Sequence, residues 1–130
     1  MSETRVVSPA SVVSAAVIDL VLVVVFVVIG RSSHDEASNF VGFVTTAWPF
    51  VAGVALGWLI MRAWRAPLGV VWTGIGIWIS TVVFGMLLRS FADQGVQLSF
   101  VIVTVVVLGV FLLGWRGIVA LVLHRRTVRS

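Results

Sequence analysis

Four apolar segments, at about residues 9–30, 40–61, 68–88 and 98–123, dominate this 130-residue chain and leave only short polar connectors. Each holds the roughly 20 mostly apolar residues that a helix needs to cross a bilayer core about 30 Å thick. Strand alternation is absent, and the many valines do not argue for sheet. Inside lipid, every backbone N–H and C=O has to be satisfied within its own helix or in a closed barrel. Composition agrees: 60% of residues are hydrophobic and 11% charged, against about 45–50% and about 25% in a soluble domain. A soluble unit of this size has too little interior to hide that much apolar surface. The expected fold is therefore all-α, an integral membrane four-helix bundle forming one domain over 1–130 with a basic tail at 124–130. The amino end reads as a retained helix, because its apolar run exceeds the about 7–15 residues of a signal core and meets no cleavage site. Ser8-Pro9 has the form of an N-cap followed by proline at the first helical position, and Ala66-Pro67 is expected to do similar work before the third segment.

The net charge of +4 comes from nine basic residues, all arginine. With four spans both termini share a side with the connector MRAWRAP. Placing that side inside puts Arg5, Arg62, Arg65, Arg116, Arg125, Arg126 and Arg129 toward the cytoplasm and leaves Arg31 and Arg89 outside. Both termini are thus expected to be cytoplasmic, in the cell membrane. Trp58, Trp64, Trp72 and Trp115 cluster near the same boundary as an expected interfacial belt, while Trp48 and Trp78 lie deeper. No Arg-rich face with interleaved aromatics exists outside the apolar runs, so nucleic acid is not an expected partner. The absence of cysteine excludes disulfides and thiolate chemistry.

Asp19 interrupts the run AAVIDLVLVVVFVVIG. A central aspartate costs about 2.5–3.5 kcal/mol on insertion scales, and the surrounding aliphatic residues outweigh it. Ser11, Ala15 and Asp19 stand four apart with Ala16 three before the acid, so the acid shares a face with small residues and is expected to turn into the bundle, roughly half-way across. Arg116, in LLGWRGIVALVL, lies at a similar depth, with Gly109 and Ala120 giving it a small-residue face. A buried Asp19–Arg116 pair is the expected contact. It has two readings, a lock that fixes helix register and a titrating or cation-coordinating carboxylate on a transport path. In the second segment, TTAWPFVAGVALGW places Pro49 near mid-membrane and Gly53 and Gly57 in GxxxG spacing. A proline kink beside Thr45, Thr46 and Trp48 is one way to shape a binding cavity. Ordinary helix packing explains the same features.

A second polar group is GRSSHDEASNF, in which Arg31, His34, Asp35 and Glu36 form an outer cluster, with Arg89 expected to reach Asp35 or Glu36 from the third segment. Ser33 and Glu36 also match a capping box. One histidine without a second at ligand spacing does not make a metal site, so no metal and no cofactor is expected. No nucleophile with an adjacent base, phosphate loop or paired catalytic carboxylates is evident, which points away from an enzyme.

The succession AVIDLVLVVVFVVIGRSSHDE, TAWPF, GWL, GMLLR and LLGWR resembles the actinobacterial and archaeal membrane proteins grouped as domain of unknown function 3054 (DUF3054), from about Ile18 to Arg116. The resemblance implies a small four-helix membrane protein and carries no catalytic or ligand role. Two expectations for function follow. In the first, copies assemble into a proton-coupled transporter or channel-like protein using Asp19, a layout similar to the small multidrug transporters, whose aromatic motif is not evident. In the second, the chain is a structural or accessory membrane subunit in which Asp19 and Arg116 lock helix packing. The expected partners are the lipid bilayer and either further copies of the chain or another membrane protein.

Overall fold

The computed structural model describes residues 8–33, 40–94 and 97–129. The described residues form helices α1 (Pro9–Ser33), α2 (Phe40–Met61), α3 (Ile75–Phe91) and α4 (Leu98–Arg129), with a short 3₁₀ turn at Ala63–Arg65 and a π-helical turn at Val70–Gly74 that runs into α3. Among them no strand occurs. Each of the four long helices, counting the π turn with α3, is long and apolar enough to cross a membrane.

Local chemistry sets the ends. Ser8 caps α1: its Oγ accepts the Ser11 N–H at 3.0 Å, and Pro9, which has no N–H to leave orphaned, takes the first helical position. At the other end of the next hairpin, α2 stops where Arg62 turns left-handed (φ 51°, ψ 53°), the usual way for a chain to leave a helix. Pro67 does not open the third helix. It stays in the connector, and the helix begins with the wider π turn, in which the Gly74 N–H reaches back to the Gly69 carbonyl at 2.9 Å. Side chains fix that entry: the Thr73 hydroxyl donates to the Ala66 carbonyl at 2.6 Å and the Trp72 indole to the Met61 carbonyl at 3.3 Å. At the far end, α4 continues as helix to Arg129 through the stretch read from sequence as a tail. No proline or glycine follows Leu123 to break it, and cationic side chains suit the negative end of a helix dipole.

Helices α2 and α3 run antiparallel in close approach. A Cβ on Gly53 would lie 2.9 Å from the Thr81 carbonyl oxygen, and one on Gly57 would lie 3.0 Å from Ser80 Cβ. The Ser80 hydroxyl donates to the Gly53 carbonyl at 3.1 Å, and Gly85 on α3 leaves room for the Phe50 ring. The GxxxG spacing is therefore a helix-contact surface, the role small residues play where no water drives association. Trp78 joins α3 to α4: its indole N–H donates to the Val105 carbonyl at 3.0 Å and its ring lies against Gly109. Ala120 is exposed and Gly117 faces open space, so the small residues beyond Arg116 do not serve helix contact as expected. Toward the opposite end, the rings of Phe26, Phe50 and Phe100 meet with centroids 5.5–6.5 Å apart and draw α1, α2 and α4 together.

Outside this interior the surface is apolar. In the most hydropathic stretch of each helix only 22–33% of residues are buried, so most of the valine, leucine and isoleucine faces outward, as at Val13, Val17, Val21, Val106 and Val110. That is the inverse of a soluble bundle and compatible with a small membrane protein.

The glycine contact surface yields a test. Gly53→Leu drives a side chain into the backbone of α3, and the expected loss is about 1–3 kcal/mol or more in thermal or denaturant unfolding of detergent-solubilised protein. Gly114→Leu is the control, because a Cβ there meets nothing within 4 Å and its stability is expected to stay within about 0.5 kcal/mol of the parent.

Candidate functional site

The Asp19 side chain is fully buried on α1, four residues beyond the equally buried Ala15. Arg116 of α4, also fully buried, meets it end-on: Nη1 donates to Oδ1 at 2.8 Å and Nη2 to Oδ2 at 2.7 Å. Two indoles complete the shell. Trp58 of α2 donates Nε1–H to Oδ2 and Trp115 of α4 donates Nε1–H to Oδ1, both at 2.9 Å. An ionised carboxylate has about four acceptor positions, and all are filled. The arginine is equally well used: Nε donates to the Pro67 carbonyl at 2.9 Å, Nη1 also reaches the Leu112 carbonyl at 3.2 Å, and the guanidinium lies 4.6 Å from the Trp115 ring centroid. Among the described residues no buried side-chain nitrogen or oxygen lacks a partner.

The backbone makes room for this cluster. Gly74, in the π turn, has no side chain where one would come within 3.2 Å of Arg116 Cδ, so the stem of the arginine lies against the start of α3. The site thus touches α1, α2, α4, the α2–α3 connector and the π turn. The Pro67 contact also locates the pair along the bundle. Asp19 lies ten residues into α1, about 15 Å at 1.5 Å per residue, yet its partner is bonded to the connector at which α2 and α3 reverse. The first turns of α1 and the last turns of α4 project past that connector, and the pair sits at the connector end of the bundle rather than half-way along it.

Chemically, this arrangement holds two opposite charges out of water at a desolvation cost of several kcal/mol each, offset by a bidentate pair and by further charge-assisted hydrogen bonds. It offers no open acceptor on the acid, which separates a lock from a site that binds a proton or a cation. Removal of either charge would strand the other among apolar side chains, at a cost of about 3–5 kcal/mol.

The remaining residues singled out from sequence are not gathered here. Thr45 lies thirteen residues before Trp58, about 20 Å along α2 by the helical rise. Its hydroxyl donates to the Val41 carbonyl at 2.8 Å, and that of Thr46 donates to the Gly42 carbonyl at 3.0 Å. Both threonines line a cavity of about 620 Å³ at the other end of the bundle, which Trp48 and Pro49 do not line. Trp48 faces outward, 41% exposed, and Pro49 is buried in packing. In the outer cluster, the Arg31 side chain, His34, Asp35 and Glu36 lie outside the described residues, as does the expected contact of Arg89 with an acid there. Ser33 is the last residue of α1, and the capping box it was expected to form with Glu36 lies outside the described residues. Arg89 donates through Nη1 to Gln94 Oε1 and through Nη2 to the Gln94 carbonyl, both at 3.2 Å, and lies 4.5 Å from the Phe100 ring centroid.

Two residues of the lock were read from sequence as belt tryptophans. Trp64 and Trp72 do face outward, at 44% and 67% exposure, but Trp58 and Trp115 turn their indole N–H groups inward. The available signal was adjacency: Trp115 directly precedes Arg116, and an indole N–H is a neutral donor that must find an acceptor when buried.

The family model for the protein of unknown function DUF3054 matches residues 16–119, a stretch that contains every residue of the lock. The chain belongs to the DUF3054 family. No curated protein and no solved structure matches it. For this DUF3054 chain the site's two neutral donors are open to a mild test. Trp58→Phe and Trp115→Phe each keep an aromatic ring and withdraw one hydrogen bond from a buried carboxylate oxygen. Each is expected to lower unfolding stability by about 1–3 kcal/mol, measured by denaturant titration in detergent, whereas Trp64→Phe, at an outward position, is expected to be near neutral.

Proposed function

We propose that this DUF3054 chain is a multi-pass integral protein of the cell membrane that serves as a structural or accessory subunit, with Asp19 and Arg116 locking its helices in register. The observation that carries this reading is the saturation of the Asp19 carboxylate by Arg116, Trp58 and Trp115. A proton-coupled transporter working through Asp19 needs a carboxylate that exchanges its partner for a proton, an ion or a substrate. Here both oxygens already accept two hydrogen bonds each, so a newcomer has to displace a donor, and the transport reading finds no support in this geometry. Insertion is supported by the four long apolar helices and their outward-facing aliphatic side chains. Cytoplasmic termini are supported by the arginines: Arg62, Arg65, Arg125 and Arg126 are exposed at the connector end, with Arg89 at the other.

The double-mutant cycle at the pair decides between lock and transport. Asp19→Asn and Arg116→Gln are each expected to cost about 3–5 kcal/mol or to abolish accumulation in membranes. The double change is expected to recover a large part of that loss, because the two residues act as one unit. A proteoliposome in which Asp19→Asn retains full stability and loses a pH-driven flux would return the acid to transport. Orientation is tested separately, and the absence of native cysteine makes it simple. Asp93→Cys is expected to react with an impermeant maleimide on intact cells, and Arg126→Cys only after permeabilisation. The reverse pattern inverts the topology.

A further inference from the structure

A groove of about 480 Å³ runs down the outer face of the α2–α3 pair from the connector. Gly76 carries no side chain and leaves room for that of Met61, and both line the groove together with the exposed Ile60, Val71, Ile79 and Val83. The polar side chains along it are already used: the Ser80 hydroxyl donates to the Gly53 carbonyl at 3.1 Å and the Trp72 indole to the Met61 carbonyl at 3.3 Å. The groove therefore offers apolar contact to a hydrocarbon guest and no side-chain hydrogen bond to a polar one. Ile75 to Phe84 cover about 14 Å of α3 by the helical rise, close to the about 15 Å that is half of a bilayer hydrocarbon core. At the connector end stand Arg62, next to Met61, and Arg65, both exposed. The described carboxylates are Asp19, saturated in the lock, and Asp93, at the opposite end of the bundle, so neither balances these two charges. Arg62 also holds left-handed backbone, φ 51°, at a helix end that glycine fills most easily. A side chain is disfavoured there on backbone grounds, and what arginine brings to the position is its charge. A second copy seated on the groove with the same orientation in the bilayer would set its own Arg62 and Arg65 at the same level, like charge facing like. A phosphate has the opposite sign and suits guanidinium donors.

We propose that this groove is a site for an anionic glycerophospholipid of the surrounding bilayer, with one acyl chain along Ile75, Ile79 and Val83 and the head phosphate at Arg62 and Arg65. Trp72, exposed at the junction of the two, suits the level of the headgroups. The site rests on insertion of the bundle in a membrane, as proposed above, and uses no residue of the lock.

The test places the full chain in phosphatidylcholine nanodiscs with a trace of either phosphatidylglycerol or phosphatidylcholine that bears a photoreactive diazirine in one acyl chain. The covalent adducts are mapped by mass spectrometry. They are expected to concentrate on Ile75, Ile79 and Val83, with a yield there about tenfold higher from the phosphatidylglycerol probe. Arg62→Gly combined with Arg65→Gln is expected to bring the two yields level and to leave the unfolding midpoint of the solubilised protein close to that of the parent, because glycine suits the backbone at position 62. Should that variant fail to fold, Ile79→Trp fills the groove from an outward position and is expected to remove the groove adducts of both probes. Equal yields from the two probes on the parent chain would overturn the anionic head. Adducts no denser in the groove than on other outward residues such as Val17 and Val106 would sink the site and leave insertion standing, whereas a chain labelled on no outward face would sink insertion as well. The remaining occupant is tested by Ile79→Cys, the native chain having no cysteine. Under mild oxidation in membranes it is expected to stay unlinked, and a disulfide-linked dimer would give the groove to a second copy and overturn the lipid.

Discussion

An ionised carboxylate shut away from water persists only where fixed donors replace the water, and in this chain those donors come from almost every part of the bundle. Arg116 brings α4, Trp58 brings α2, and the arginine Nε carries the contact onward to the Pro67 carbonyl in the connector. Because each hydrogen bond tolerates only small errors of distance and angle, the four donors fix the azimuth and the axial position of α1 together. Apolar contact alone could not do so. In a lipid surrounding an aliphatic side chain would gain little by exchanging acyl chains for another helix, and α1 presents valines on its buried face, such as Val23 and Val27, as well as on its outward one. The cost of misplacing Asp19 supplies the specificity that its neighbours lack. The α2–α3 pair is held differently, by glycines that let two backbones touch over several turns. One half of the molecule therefore depends on close fit, and the other on a polar clasp.

How far this was legible depends on which physical signal each residue carried. Four apolar runs separated by short polar connectors determine an all-helical chain, because no other backbone arrangement of that length satisfies itself in lipid. Asp19 and Arg116 could be matched because each is an isolated charge on a face of small residues, a local property. The inward turn of Trp58 and Trp115 could not be read by the same means. A tryptophan near the end of an apolar run suits the membrane boundary as well as it suits a buried acceptor, and only the position of Asp19 in space chooses between them. Counting residues along α1 does not reveal that the pair is tied to the α2–α3 connector, which the Arg116 to Pro67 bond does. The behaviour of Pro67 itself follows from the same contact: its carbonyl is used by the arginine, and the helix after it starts only once the wider π turn has cleared Arg116 at Gly74.

The two ends of the bundle thus differ in kind. At the connector end, the polar groups around Asp19 are buried and mutually satisfied. At the other end, small residues leave space, the hydroxyls of Thr45 and Thr46 are turned back onto their own helix, and an arginine is propped at the edge of an aromatic floor. A protein that moved an ion through its interior would need polar groups spaced along one continuous path, each able to surrender its partner to the next. Here about 20 Å of α2 separates Thr45 from Trp58, the buried side chains of α2 between them, Ala47, Phe50 and Val54, are apolar, and the hydroxyls of Ser80, Thr81 and Thr104 are each spent on a backbone carbonyl. That arrangement fits a scaffold in which buried polar groups hold helices together.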